Sequence, residues 1–389
     1  MNAVASAIGD VARAAPPAVL QLRSSAGLYG ADRAVLALDG ALRRGAARSR
    51  LLSIHNYLLD AQPLHEAARI AGHDAALLPC RGRLDMRTVS ALVAEIDASG
   101  AGIVHAHDYK SAFYAWLAAR RRPVRLVATQ HGRVESSQAL RLYQSLEATL
   151  LRRFDAVAIV SEVQRAPLLR AGVAAARIHR LDNGIDLPPS GARADAGLRD
   201  ALGLGHGHVF AAVARFSPEK NLAMLLRAFT AAATADRGAT LLLVGDGPGR
   251  AELEALAAQY GLADRVRFAG VRDDMAGIYP LIDTLVLPSL SEGMPLVVLE
   301  AMAHGVPVVA SAVGEVPRLL AATSLGRLLP PGDRVALRAA LLEALQRPPG
   351  RDHAGAAHVR AHHSSAAMAA RHLTMYALLA EAADAPQHA

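Results

Sequence analysis

The stretch that most constrains this chain lies at residues 287–310, where a polar loop, an apolar helix and an apolar strand follow one another without a break. Ser291-Glu292-Gly293 is the loop, and Pro295 suits the first turn of the helix, where its missing N–H would be unpaired in any case. Gly305 suits the residue just past the helix end. Leu296, Val297, Val298, Leu299, Ala301, Met302 and Ala303 make the helix apolar all round, which marks it as buried. Its one carboxylate, Glu300, then needs a partner, because an unpaired buried charge is expensive. With apolar segments on both sides (Thr284 to Leu287, Val306 to Ala310), the stretch reads as a β-loop-α-β unit. In such a unit the helix N-terminus aims its free N–H groups at the ligand edge of a parallel sheet, where anions bind.

The rest of the chain keeps the same rhythm. Ala18 to Leu22 reads as a first strand, Ser24 to Gly30 as a glycine loop, and 31–42 as a helix. Arg50 to Ile54, Asp74 to Leu78, Gly102 to Ala106, Val124 to Thr129 and Ala156 to Ser161 read as further strands with helices between most of them. Alternating strands and helices mean a parallel α/β sheet, which binds ligands at the carboxyl ends of its strands. Two of those ends are unusually polar: His105 to Lys110, and Thr129 to Arg133. An amphipathic helix over 135–154, with Leu140, Tyr143, Leu146 and Leu150 on one stripe, reads as core packing. Pro188-Pro189-Ser190-Gly191 and the polar stretch to His208 read as a linker, after which the strand–helix rhythm resumes to Leu329. Gly245, Gly247 and Gly249 lack the spacing and the following acid of a dinucleotide fingerprint.

Length and charge narrow the classes. A chain of 389 residues is long enough for two or three domains, and no apolar run reaches the ~18 residues of a membrane span. Residues 1–17 have no basic region followed by an apolar one and do not read as a signal peptide. The single cysteine, Cys80, excludes an intrachain disulfide and a Cys-cluster metal site, which fits a cytoplasmic chain. Residues 1–190 carry 24 Lys and Arg against 16 Asp and Glu, so the whole net excess of +7 lies in the first half. That excess suits nucleic acid, an anionic membrane face or an anionic acceptor, and equally a well-solvated surface. Against nucleic acid, aromatic residues are only 4% and no binding module is recognisable. Of the 42 basic residues only Lys110 and Lys220 are lysine, so each marks a place where a compact ammonium is wanted rather than a planar fork.

Glu292 and Glu300, with seven residues between them, resemble the E-x7-E motif of retaining nucleotide-sugar glycosyltransferases of family 4. Ala214-Arg215 and, after four intervening residues, Lys220-Asn221 resemble that family's Gly-Arg and Lys-Asn pattern, with Ala214 in place of the glycine. His107-Asp108, Thr129-Gln130-His131-Gly132 and Asn183-Gly184-Ile185-Asp186 also resemble family segments. The resemblance runs over about residues 18 to 382 and is strongest in 209–320.

The resemblance implies the GT-B fold, an α/β architecture of two facing Rossmann-like domains with a C-terminal crossover helix. After a lead over 1–17 it implies a first domain over 18–187, with a closing helix at 365–382. A linker over 188–208 and a donor domain over 209–350 follow. It implies that Glu292 touches the donor sugar, that Glu300 holds the ribose, and that Arg215 and Lys220 clamp the diphosphate. The backbone of Gly293, Met294 and Pro295 would face that diphosphate, and Val271 the base. His131 matches the histidine near the reacting sugar, and His107, Asp108 and Lys110 are acceptor-side candidates. Gly27 and Gly30 replace the family's usual Gly-Gly pair near the phosphates, and Gly245 stands in a strand–turn of the family pattern. The implied reaction is transfer of a hexose-like sugar to a hydroxyl with retention, drawn as a front-face displacement. It needs no metal and no cofactor beyond the nucleotide sugar. A carbohydrate or lipid-linked acceptor, peripheral contact with the inner face of an anionic membrane, and no nucleic acid complete the expectation. A GT-B nucleotide-sugar epimerase, which needs no acceptor, is the nearest alternative.

Overall fold

The computed structural model describes residues 17–132, 147–189, 195–347 and 350–384. The lead over 1–16, most of the helix expected over 135–154, and the Ser190-Gly191 part of the expected linker lie outside them. By contacts the chain divides into two units, residues 1–184 with 365–389, and 185–364.

In the first unit the described strands are β1 (Val19–Ser24), β2 (Ser49–Ile54), β3 (Ala75–Leu78), β4 (Ile103–Ala106), β5 (Arg125–Gln130), β6 (Ala156–Ile159) and β7 (Ile178–Arg180). They form a parallel sheet in the order β3-β2-β1-β4-β5-β6-β7. The order reverses between β1 and β4, which is the switch point where doubly wound sheets open to a ligand. Side chains alternate across each strand, so neighbours on β1 enter different cores. Leu20 and Leu22 pack with Val104, Leu151 and Phe154 on one face. Val19 packs with Ile103, Val127 and Ala156 on the other.

That second face is completed from both ends of the sequence. Leu38, Ala41 and Leu42 of the helix Gly30–Arg44 cover it, together with Met368, Ala369, Met375 and Tyr376 of the last helix, Ser365–Asp384. Burying Tyr376, Met368 and Met375 is worth about 1.5–3 kcal/mol apiece. The last helix is therefore part of the first unit's core, as the resemblance implies.

The second unit repeats the plan with β8 (Val209–Val213), β9 (Thr240–Val244), β10 (Val266–Gly270), β11 (Thr284–Leu287), β12 (Val308–Ser311) and β13 (Arg327–Leu329). Their order is β10-β9-β8-β11-β12-β13, again parallel and again reversing beside the first strand. Thr-Leu-Leu-Leu-Val in β9 is buried at every position, as a strand covered on both faces must be. Helices Leu222–Ala235 and Arg334–Gln346 supply Leu225, Phe229, Leu337 and Leu341 to its core.

Two boundaries differ from the sequence reading. The polar stretch before β8 contains a helix, Ala196–Ala201, capped by Asp195. The second unit also continues past residue 350 through a helix, His353–His362, whose Ala- and His-rich sequence has little apolar periodicity to announce it. Asp352 caps that helix through Gly355 N and also accepts from Ser324 N, Leu325 N and Ser324 Oγ at 2.9–3.1 Å. Its own N–H donates to Gly305 O at 2.7 Å, which ties the helix to the end of Leu296–Ala303. Among the described residues no helix is long and apolar enough to cross a membrane.

Asp352→Ala removes a cap and strands several buried N–H groups, so it should cost about 2–4 kcal/mol. Urea unfolding of the variant against the wild type reads this as a lower midpoint with an unchanged slope; an unchanged midpoint would refute it.

Candidate active site

The second unit brings three loops together at the carboxyl ends of its strands. After β8, Phe216 is fully buried and pins the loop on either side of the exposed Arg215 and the half-buried Lys220. Phe216 N donates to Asp246 O, and Gly249 N donates to Phe216 O, each at 2.9 Å. This lock brings backbones closer than a side chain allows. A Cβ on Gly245 would lie 2.0 Å from the Ala214 carbonyl oxygen, so Gly245 answers first to the fold.

Lys220 closes a short 3-10 turn, Pro218–Lys220, and Asn221 beyond it turns left-handed to start the next helix. The Lys220 ammonium donates to Glu292 Oε1 at 2.7 Å, and the buried Ser289 hydroxyl donates to the same oxygen at 2.7 Å. With Lys220 22% and Glu292 9% exposed, the ion pair is screened from water on most sides. Leu290 N also donates to Glu219 O, so the loops after β8 and β11 are joined by backbone as well as by charge.

The helix expected after Glu292 spans Leu296–Ala303, with Pro295 as its N-cap. It ends as the sequence reads: Gly305 has φ +68°, with Gly305 N donating to Met302 O and Val306 N to Ala301 O. Glu300 has its partner, since the hydroxyl of the buried Tyr279 donates to Glu300 Oε2 at 2.5 Å. Tyr279 stacks on His304 at 4.9 Å between ring centroids, and His304 Nδ1–H donates to the Glu300 carbonyl at 2.9 Å. Burial pushes the His304 imidazole below its ordinary value, so the ring beside Glu300 is neutral near pH 7. Met294 is buried and Gly293 half-buried, while Val271, beyond Gly270, is 70% exposed.

Gly314 decides where the Glu292 loop can sit. Its φ is +53°, and a Cβ there would lie 2.3–2.4 Å from the carbonyl oxygens of Gly293 and Glu292. Glu315, without a role in the sequence reading, donates its N–H to Gly293 O and is itself held by Arg318 Nε at 2.8 Å.

In the first unit the polar strand ends do meet one another. His107 Nδ1 lies 3.0 Å from His131 Nε2, and His107 Nε2 lies 2.8 Å from Gln21 Oε1. Burial foremost, and then the positive charge of Arg23, holds His131 well below the ordinary imidazole value. His107 is depressed in the same way, with burial again the leading cause. Both rings are therefore neutral at physiological pH.

The acceptor-side expectation needs correcting for two of its residues. His107 is only 2% exposed and is occupied by Gln21 and His131. Asp108 is a helix cap that accepts from Lys110 N, Ser111 N and Ser24 N. Both are committed inward because the strand end they terminate is itself buried. Lys110 stays near the surface, with its ammonium 5.6 Å from the Tyr57 ring centre. Of the two loop glycines, Gly27 lies against the Tyr29 ring, and Gly30 begins a helix with open space around it.

Sequence reasoning missed Gln21, Arg23, Tyr279 and Tyr376. Only Gln21 left a signal, as an amide set inside the apolar run Val19-Leu20-Gln21-Leu22. Among the described residues no group of three or more His, Cys, Asp or Glu side chains is arranged to hold a metal ion.

Two family models match this chain, "Glycosyltransferase Family 4" over residues 30–188 and "Glycosyl transferases group 1" over 207–347. The chain belongs to glycosyltransferase family 4. It is 34% identical over 306 residues to a D-inositol 3-phosphate glycosyltransferase of Salinispora tropica, covering 66% of this chain and 63% of that one. It thus spans less than two thirds of that relative's length. It is 29% identical over 279 residues to a GDP-mannose-dependent alpha-(1-6)-phosphatidylinositol monomannoside mannosyltransferase of Mycobacterium tuberculosis, covering 66% of this chain and 70% of that one. Among solved structures, HepE of Anabaena in complex with UDP superposes with a TM-score of 0.77 at 20% identity, over 92% of this chain and 99% of that one. A sucrose-phosphate synthase of Thermosynechococcus elongatus gives 0.75 at 24%, over 94% and 100%. At such identities the likeness shows the fold, which is GT-B.

In this family 4 chain Gly314 and Gly30 should behave oppositely on substitution. Gly314→Ala combines left-handed strain with a backbone clash and should cost about 2–4 kcal/mol. Gly30→Ala, at an open helical position, should leave the denaturation midpoint unchanged or raise it slightly. Equal midpoints for the two variants would contradict this reading of the loop.

Proposed function

We propose that this chain is a retaining glycosyltransferase that moves a hexose-like sugar from a nucleotide sugar to a hydroxyl acceptor. The observation that carries the reading is the Lys220–Glu292 contact, in which one carboxylate oxygen receives both the Lys220 ammonium and the Ser289 hydroxyl. That contact sits at the start of a helix whose first N–H groups have no acceptor within the helix. A diphosphate bound there meets the helix N-terminus, Lys220 and Arg215. A sugar attached to it lies beside Glu292.

The chemistry follows from where charge develops. As the glycosidic bond breaks, negative charge collects on the departing diphosphate and positive charge on the anomeric carbon. Lys220, Arg215 and the backbone of Gly293 and Met294 oppose the first, and the Glu292 carboxylate the second. The leaving phosphate takes the acceptor's proton, so the nucleophile arrives on the face the diphosphate leaves and configuration is retained. Glu300, oriented by Tyr279, accepts hydrogen bonds from the ribose hydroxyls, and Val271 with its neighbours lies against the base.

The acceptor belongs with the first unit. Tyr57, Leu58 and Leu84 are exposed on the loops after β2 and β3 and Met86 and Tyr109 at the starts of the helices Met86–Ser99 and Tyr109–Ala119, with the exposed Arg81 and Arg83 and the half-buried Lys110 next to them in sequence. Apolar and basic groups side by side suit an acceptor that carries a lipid and an anionic group, presented at a membrane surface. The relative named for a phosphatidylinositol mannoside is consistent with both features, and the relative named for an inositol phosphate with the anionic group alone.

Fixed cations in place of a bound divalent ion make a direct test. Sugar transfer should survive excess EDTA, while Lys220→Ala should lower turnover roughly a hundredfold, the usual loss on removing one preorganised charge stabiliser. Lys220→Arg should recover only part of it, because a planar fork does not sit where a compact ammonium does. Transfer that EDTA abolishes and magnesium restores, with Lys220→Ala still active, would overturn the mechanism.

A further inference from the structure

The last helix, Ser365–Asp384, is fastened to the first sheet by a buried polar seam inside an otherwise apolar core. The Tyr376 hydroxyl lies 2.6 Å from His105 Nδ1 on β4 and 3.3 Å from Gln21 Nε2 on β1. His105 Nε2 lies 2.7 Å from Thr129 Oγ1 on β5, and Gln21 Oε1 lies 2.8 Å from His107 Nε2. Beside the seam, His372 of the same helix is buried, and its Nδ1–H donates to the Met368 carbonyl at 2.9 Å. Ring centres are 4.1 Å apart for His105 and His107 and 5.8 Å apart for His105 and His372. Three buried imidazoles thus meet where the helix sits on the sheet.

The seam carries no counter-charge. Among the described residues none of the three rings has a carboxylate as a hydrogen-bond partner. The charged groups around it are engaged elsewhere. Arg23 on β1 donates to Asp32 and to the His107 carbonyl, and Asp39 of the helix Gly30–Arg44 holds Ser49 and His73. Asp108 caps the helix Tyr109–Ala119, and Arg371 of the last helix donates to the Asp182 carbonyl. From β5 the only titratable group against the seam, among the described residues, is His131, 3.0 Å from His107 Nδ1. A neutral imidazole has one N–H and one lone pair, whereas an imidazolium has two N–H groups and accepts nothing. With His105 and His107 both protonated, two donors meet at Tyr376 or at Gln21 whichever way the Gln21 amide is turned. A second proton therefore breaks the seam, and so close to the first it is also repelled by it.

We propose that this seam is a proton-operated latch, which keeps the last helix on the first sheet while the three rings are neutral and lets it go when they are protonated. Burial, the leading cause in each case, holds His105 and His107 well below the ordinary imidazole value and pushes His372 down to about 4. Rings that resist a proton while the helix is seated take one up readily once the helix has left and water reaches them, so the released form binds more protons. The latch is therefore shut above about pH 6.5 and weakens as the pH falls below it, each ring multiplying the opening equilibrium by about ten per pH unit.

Hydrogen exchange of the full chain, read by mass spectrometry between pH 7.5 and 5.5 with exchange times scaled for the intrinsic pH dependence of the chemistry, tests the latch. Peptides from 365–384 should lose protection by roughly a hundredfold between pH 6.5 and 5.5, while peptides from the helix Leu222–Ala235 of the second unit keep theirs. His105→Gln and His372→Phe each remove one proton-binding ring and should each cut that change by about fivefold. The His372 ring bonds only to its own helix, so His372→Phe remains readable even if His105→Gln does not fold. Protection of 365–384 that does not depend on pH, or the same loss in His372→Phe as in the wild type, would overturn the proposal. Simultaneous loss of protection in both units would show general acid unfolding and overturn it as well.

Discussion

The Lys220 ammonium and the Glu292 carboxylate hold each other at 2.7 Å, and the donor half of this protein is arranged so that they can. Two opposite charges partly withdrawn from water gain from each other only if both are held in place and the remaining oxygens and protons are satisfied. Ser289 supplies the second donor to Glu292. The buried Phe216 fixes the Lys220 loop from below, and Gly314 lets the Glu292 backbone settle where a side chain would push it away. Gly245 does the same for the Ala214 carbonyl one loop earlier. These glycines matter less for flexibility than for closeness, since they bring three backbones into a space that leaves no room for a Cβ.

The pair also explains the lysine. Arginine supplies nearly every other cation in the chain, yet its fork would need two acceptors in one plane and more room. Lys220 meets a single oxygen, Glu292 Oε1, and keeps further N–H donors for an incoming anion. Glu300, on the same buried helix, is held by a neutral phenol hydroxyl beside a neutral imidazole.

What could be read from the sequence was what is local. The E-x7-E spacing and Gly305 just past the helix are local features and stand where they were expected, while Pro295, expected in the first turn, caps the helix one residue earlier. Strand positions followed from short β-branched and leucine runs, and the helix read over 31–42 after the glycine loop is the observed Gly30–Arg44. What the sequence hid depended on the fold. Tyr376 reaches Gln21 only because the last helix returns to cover the first sheet, and nothing near position 376 announces a hydrogen-bond partner. His107 looked like a ligand-facing residue because strand-end histidines often are; the fold turned it inward against Gln21. Helix His353–His362 was passed over because alanine and histidine give no clear apolar stripe, although Asp352 before it is a capping residue that sequence alone offers.

The central claim is that the Glu300 helix receives a nucleoside diphosphate, ribose to Glu300 and diphosphate to its N-terminus beside Lys220. Titration calorimetry of the wild type and Glu300→Gln against uridine, guanosine and adenosine diphosphates and their 2′,3′-dideoxy forms tests it most directly. Charge-assisted hydrogen bonds of this kind are worth about 1.5–3 kcal/mol. One nucleoside diphosphate should therefore bind the wild type without added metal, its dideoxy form roughly tenfold to a hundredfold more weakly, and Glu300→Gln should nearly erase the difference. Equal affinity of the wild type for the ribose and dideoxy forms, or binding of none of the three diphosphates, would contradict the account.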